Sequence, residues 1–397
     1  MVLTAATVGI FFALAGLALT LLFAAHLRSP TGRTADKPGA ARISLVLPLT
    51  GSNAELEQLL DALSTQTLPP HRLVVAVEST DDPAYRRIKA LGGQYRNIAI
   101  KLVVAGLSTL CSQKCTNLLM AVAALDDDYI VFLDADIMPQ PWWLAALVAP
   151  LAAGRADIVN GYRWLTPKTG SLAAVLFAAI DRAIATLPRL SHEKLIWGGS
   201  LGMTSDALEK LDLTQTIGRA LTEDLPIGAR AAEIGLRVLT RRAIRAPTPL
   251  GDCFRDLWRF GRRQYQLIRI YRPGLWSFAA AVVTADLTAR IALLLNLVFG
   301  GWAATLVTLI GIAALGSATA ELRMAIGRRL DVADPVGTRL RQHLLTWMIV
   351  PLPAVHASMI WNGLVTSPVR WAHIRYLVDR RGQITGIIRE PHFDQLA

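Results

Sequence analysis

The sequence predicts an α/β protein: a mostly parallel sheet domain set between apolar helices near both ends of the chain. Three observations carry that reading. Residues 2–27 contain no Asp, Glu, Lys or Arg, and about 20 apolar residues cross a bilayer as a helix. From Ile43 short apolar runs alternate with amphipathic stretches, the pattern of βαβ units and so of a parallel sheet with helices on both faces. Beyond Pro273 long apolar segments return. The composition agrees, since 53% hydrophobic and 18% charged residues among 397 are too apolar for a wholly soluble protein.

Taken in order, 1–27 lacks a basic leading region and a small-residue cleavage site, so it is expected to remain as an anchor. Arg28, Arg33, Lys37 and Arg42 follow at once in the linker 28–42 and place that end in the cytoplasm. The sheet domain spans 43–250. Within it 43–47, 73–77 and 98–103 read as strands, with helices at 54–63 and 82–91 between them. Ile130 to Leu133 is too short for a helix, rich in β-formers and stopped by acids and prolines, so it reads as a buried central strand. A helix at 142–152, a strand at 158–162, an apolar helix at 171–184 and a small-residue strand or turn at 198–202 complete this part.

Residues 251–274 form a basic amphipathic helix with Phe254, Leu257, Trp258, Tyr265, Ile268 and Tyr271 on one side, suited to the headgroup layer. Two membrane helices follow in 275–320, where Asp286 and Arg290, one turn apart, neutralise each other. The arginine-rich loop 321–341 is expected in the cytoplasm. Residues 342–368 are apolar but broken by Pro351-Leu-Pro353, which predicts a helix-break-helix hairpin that returns the basic tail 369–397 to the cytoplasmic side.

The net charge of +11 comes from arginines concentrated beside apolar segments, which favours an anionic lipid surface over nucleic acid. Three cysteines, at 111, 115 and 253, match neither a redox pair nor a zinc site. No glycine-rich dinucleotide fingerprint follows the first strand, and no P-loop occurs.

The chemistry-bearing residues gather at the carboxyl ends of the predicted strands, where open α/β sheets bind ligands. Pro48, Thr50, Glu78, Asp81 and Asp82 share that rim with Asp134 and Asp136. Asp134-Ala-Asp136 offers two hard oxygen ligands suited to Mg²⁺ or Mn²⁺ with a diphosphate completing the shell. A solvated turn with two capping acids is the competing reading of that motif. Lys114 and Asn117 open the helix before the central strand, where a lysine holds a phosphate or simply faces solvent. Thr222 caps a further helix, with Glu223 and Asp224 in its first turn.

Asp81-Asp82-Pro83-Ala84, Asp134-Ala135-Asp136 and Glu223-Asp224, in this order, resemble the acidic motifs of inverting family-2 and family-21 glycosyltransferases. In layout the chain is most similar to ceramide glucosyltransferases and their bacterial relatives acting on hopanoids or diacylglycerol. The tail from Val369 to Tyr376 also resembles their post-membrane segment. The fourth family element, Gln/Arg-x-x-Arg-Trp, is altered. Arg263 falls on the family arginine, but Gln264 replaces the tryptophan and Phe260 the first residue; a shifted match through Arg259 and Arg262 is the alternative.

The resemblance implies a GT-A-like, Rossmann-like fold and an inverting transfer of a hexose from a UDP-sugar to the hydroxyl of a membrane lipid. It places Asp224 as the general base, with Pro48, Thr50, Glu78, Asp81, Asp82, Lys114, Asp134 and Glu223 around the nucleotide sugar. Asp134 and Asp136 would hold a divalent cation, Mg²⁺ or Mn²⁺, and Arg259, Arg262, Arg263 or Gln264 would face the diphosphate. His192 and Trp197 are candidates beside the acceptor. The expected location is the inner (cytoplasmic) membrane, with the catalytic domain in the cytoplasm. A processive polysaccharide synthase is the alternative within the same chemistry, and a non-catalytic scaffold or sugar-binding protein the alternative from another class.

Overall fold

The computed structural model describes residues 2–27, 41–188, 194–332, 334–365, 368–379 and 382–391. Most of the expected linker and the candidate His192 lie outside the described residues. The chain divides into two compact units, one of Arg28–Arg163, Arg189–Thr248 and Thr366–Ala397, the other of Met1–Leu27, Trp164–Pro188 and Pro249–Val365.

In chain order, helix α1 (Val2–Ala25) precedes β1 (Ile43–Pro48), α2 (Leu56–Ser64), β2 (Arg72–Val77), α3 (Pro83–Leu91) and β3 (Ala99–Val104). There follow α4 (Gln113–Val122), β4 (Tyr129–Leu133), α5 (Trp143–Ala152), β5 (Ile158–Pro167), α6 (Leu172–Ala185) and β6 (Ser200–Thr204). Then come α7 (Ser205–Leu211), α8 (Leu213–Ile217), α9 (Asp224–Glu233), β7 (Val238–Leu250) and α10 (Phe254–Tyr271). The chain continues with α11 (Pro273–Phe299), α12 (Trp302–Arg329), α13 (Thr338–Trp347) and α14 (Pro351–Asn362). Three short strands, β8 (Val369–Trp371), β9 (Ile374–Val378) and β10 (Ile384–Arg389), complete the described elements.

The first unit is built on a sheet of order β3-β2-β1-β4-β6-β5-β7. β3, β2, β1 and β4 run parallel, and the direction reverses at β6, antiparallel to both β4 and β5. The alternation of side chains along a strand sorts this sheet's apolar residues into two cores. Leu45, Leu47, Leu73, Val75 and Val131 pack on one face with Leu59, Leu63 and Leu147 of α2 and α5. Val46, Val74, Ala76, Ile130 and Phe132 pack on the other with Leu118, Leu211 and Ile227 of α4, α7 and α9. Each fully buried side chain of this size contributes about 2 kcal/mol. The two cores hold the strands in register and thereby set the rim from which the functional loops spring. β8, β9 and β10 form an antiparallel sheet of their own within the same unit.

In the second unit α1 packs against α11 and α12, with Ala5, Leu293, Leu309 and Ile312 among the buried contacts. Three helices are long and apolar enough to cross a membrane, Leu3–Ala25, Pro273–Phe299 and Trp302–Arg329. α13 and α14 form a pair bent by 82° at the Pro351 break. Arg290 Nε donates to both Asp286 oxygens at 2.9 and 3.0 Å, the intrahelical neutralisation expected from the spacing. One expectation needs correction. α12 continues through the first nine residues of the segment read as a loop, ending only at Arg329; its last arginines suit a helix carboxyl end, so the charge does not mark where the helix stops. The apolar side of α10 meets α6, α11 and α14, with Trp258 Nε1 donating to Ser358 Oγ at 2.9 Å. Of the expected apolar stripe Leu257 and Tyr265 are buried, while Phe254 is 48% exposed.

Candidate active site

The first turn of α4 organises the rim of the sheet unit. Ser112 caps the helix by accepting from Cys115 N, and the next residues point in three directions. Gln113, fully buried, donates through Nε2 to Gly106 O at 2.7 Å and to Asn117 Oδ1 at 2.9 Å, while its Oε1 accepts from Ser108 N at 2.8 Å. Asn117 then donates to Leu49 O and Ala76 O, both at 3.0 Å, tying the ends of β1 and β2 to the helix. Lys114 reaches the opposite way. Its Nζ donates to Asp134 Oδ1 and to Glu223 Oε1, each at 2.7 Å. The second and third acidic motifs, 89 residues apart in sequence, thus share one ammonium.

Two glycines make that approach possible. A Cβ on Gly199 would lie 2.6 Å from Asp134 Oδ2 and inside the ring of Trp197, and a Cβ on Gly198 would overlap the Glu223 carboxylate. Asp134 follows β4, and its N–H donates to Gly199 O at 3.4 Å. Asp224 begins α9, where its Oδ1 accepts from Thr222 Oγ1 and from Leu225 N, both at 2.8 Å. Lys114 is 18% exposed and Glu223 1%.

The electrostatics follow from this packing. Burial alone would lower the Lys114 ammonium, but Asp134 and Glu223 raise it, so it stays charged. Burial raises Glu223, with Lys114 opposing the shift, and burial likewise raises Asp224. Asp136 is accessible to solvent yet walled in by protein. That desolvation, followed by the Asp134 carboxylate, pushes it up to about 6, while Lys114 and Arg163 pull the other way.

The donor set fits a divalent ion of the Mg²⁺ or Mn²⁺ kind. Among the described residues no cluster of three or more His, Cys, Asp or Glu could hold a metal. Among the described residues the Asp134 and Asp136 pair is the candidate, and such ions are commonly bound through one or two carboxylates plus substrate phosphates. A cation there would offset both the desolvation and the Asp134 charge that raise Asp136.

The first acidic motif divides its labour. Asp82 is wholly buried. Its Oδ1 accepts from Gly51 N and Ala84 N, both at 2.8 Å, and its Oδ2 from Thr50 Oγ1 at 2.9 Å. It is committed to capping α3 and pinning the β1–α2 loop, and Asp81 is the exposed acid of the pair. Asp82→Ala is expected to lower stability by about 2 kcal/mol through loss of the cap and orphaned donors; an unchanged thermal midpoint in detergent would refute that. Pro48 closes β1 in pairing with Ala76.

Several expectations shift. Lys114, read as a phosphate ligand, is held between two carboxylates. Glu78 is only 5% exposed, and its Oε1 lies 2.9 Å from His373 Nε2. Trp197, placed beside the acceptor, is a core residue packed against Tyr162 with ring centroids 5.8 Å apart. Arg259, Arg262, Arg263 and Gln264 lie on α10 of the other unit, and their assigned role rests on the sequence alone. There Arg259 faces Asp256 at 3.7 Å and Arg263 lies over the Phe260 ring. Two features were missed. Arg163, in the unremarkable run Gly-Tyr-Arg-Trp of β5, acts on Asp136. His373, Tyr376 and Arg389 return to this rim from beyond the membrane helices.

Comparison with known proteins adds an independent finding. The model of glycosyl transferase family 21 matches residues 6–384. Among solved structures, the chain is similar to a mannosyltransferase from Pyrobaculum calidifontis in complex with GDP-Man and Mn²⁺. The match has 17% identity and a TM-score of 0.49 over 87% of this chain and 98% of that one. It is also similar to glucosyl-3-phosphoglycerate synthase from Mycobacterium tuberculosis in complex with Mn²⁺ and UDP-glucose. There the identity is 19% and the TM-score 0.38, over 59% of this chain and 79% of that one.

Proposed function

The chain belongs to glycosyl transferase family 21 and is a glycosyltransferase, and from that premise we propose that it moves a hexose from a UDP-sugar to the hydroxyl of a membrane lipid with inversion. The observation that supports this most is the Lys114 ammonium joining Asp134 to Glu223, next to Asp224. A donor-side carboxylate and a base-side carboxylate are thereby held to one point, as a single displacement requires.

Asp224 takes the proton from the attacking hydroxyl. Its Oδ1 is anchored by Thr222 and Leu225 N, which orients the carboxylate, and its raised affinity for protons makes it a stronger base than an ordinary surface Asp. Asp134 and Asp136 would hold the divalent cation, which when bound supplies positive charge to the departing diphosphate. Lys114 adds a fixed positive charge there, 2.7 Å from Asp134 Oδ1. Asp81, the exposed acid, contacts the nucleoside. The arginines of α10 remain candidates for the leaving group on the strength of the sequence motif. Helices long and apolar enough to cross a membrane support a lipid acceptor, and the basic segments beside them support a catalytic domain on the cytoplasmic face of the inner membrane.

Purified protein in lipid vesicles with a radiolabelled UDP-hexose is expected to place label in the organic extract. Label appearing only in a water-soluble polymer would favour a polysaccharide synthase, and no transfer to any acceptor lipid would overturn the lipid assignment.

A further inference from the structure

We propose that the sheet β8–β10 is a positioning element for the donor's nucleoside subsite, with His373 its key positioning residue. The inference rests on the UDP-sugar reading of the site.

Three loops at the carboxyl ends of β1, β2 and β3 receive a side chain from this sheet. After β1, Thr50 Oγ1 lies 3.5 Å from His373 Nδ1. After β2, Glu78 Oε1 pairs with His373 Nε2 at 2.9 Å, and Arg389 Nε stands 3.8 Å from its Oε2. After β3, Arg389 Nη2 donates to Ser108 O at 3.1 Å, and to Ser108 Oγ and Gln113 Oε1 at 3.0 Å. Tyr376 Oη accepts from Gln113 N at 2.8 Å, satisfying one of the orphan donors at the start of α4. In an open α/β sheet these are the loops that line the ligand crevice.

His373 occupies the β8–β9 turn. Trp371 pairs with Ile374 across it, and Ala372 takes φ 49°, a left-handed conformation costly for a residue with a Cβ. The strained turn delivers an imidazole into the rim. With His373 6% and Glu78 5% exposed, water screens the pair little, and removing one partner leaves a buried group unsatisfied. Glu78 Oε1 lies on the Nε2 side of the ring and Thr50 Oγ1 on the Nδ1 side, and the Thr50 hydroxyl in turn donates to Asp82 Oδ2. One imidazole therefore couples the β1 and β2 loops. None of these contacts touches Asp134, Asp136 or Asp224, so the device acts on donor binding more than on the chemical step.

Calorimetric titration of the full-length protein with UDP, together with transfer kinetics, tests this. His373→Ala is expected to weaken UDP binding and raise the donor KM by about 10- to 100-fold, with kcat changed by less than about threefold. His373→Gln, which keeps an N–H for Glu78, is expected to recover most of the loss. Equal UDP binding by wild type and His373→Ala would overturn the inference alone. So would a kcat loss with unchanged KM, or failure of both variants in kcat and KM alike. A wild-type protein that binds no UDP would overturn the donor assignment and this inference with it.

Discussion

Asp224→Asn is expected to reduce transfer by about 10²- to 10⁴-fold while UDP binding stays within a few-fold of wild type. The amide keeps the shape of the side chain and its acceptor toward Thr222 and Leu225 N, so the start of α9 need not move. What it loses is the ability to take a proton. The pH profile gives a second reading of the same group. A base works only when deprotonated, and burial raises Asp224 above its ordinary value. The rate should therefore fall with acid at a pH above the usual carboxylate range, and not merely near pH 4. Undiminished turnover in Asp224→Asn would remove Asp224 from the chemistry and reopen the reading of a binding protein built on the same sheet.

Lys114→Met is expected to cost about 3–5 kcal/mol of stability and most donor affinity. The substitution conserves length and leaves Glu223, 1% exposed, and Asp134 facing each other without the cation between them. The sign of the pH dependence distinguishes this cause from simple loss of packing. With Lys114 present the pair is stabilising throughout the neutral range, because its ammonium is held charged well past its ordinary value. Without it the uncompensated carboxylates repel most when ionised, and Glu223 is already raised by burial. The deficit should thus narrow as the pH falls and the raised Glu223 carboxyl takes up a proton. A chemical-denaturation series in detergent from pH 7.5 to about pH 5 that showed a constant deficit would assign the loss to packing.

Much of this was legible along the chain because local physics wrote it there. The 2–27 span, the βαβ alternation and the buried strand before Asp134 follow from hydropathy period and length, which act within windows of about 20 residues. The Asp286–Arg290 pairing follows likewise from helical spacing. The order of the three acidic motifs carried the resemblance, and the family match across residues 6–384 agrees with it. Only the folded chain could decide which acids are open and which are spent. Asp81 and Asp82 are neighbours in sequence, yet the hydrogen bonds of a distant loop consume one and leave the other exposed. Lys114 reads locally as a helix-start cation, and its two carboxylate partners, just after β4 and just before α9, are 20 and 109 residues away. The need for Gly198 and Gly199 was invisible until Glu223 and Asp134 were seen against them. His373 lies 295 residues from the Glu78 it binds, with every membrane helix after α1 between them. Pairing over such separations is set by how buried charges are satisfied in three dimensions, a constraint with no period to read in one.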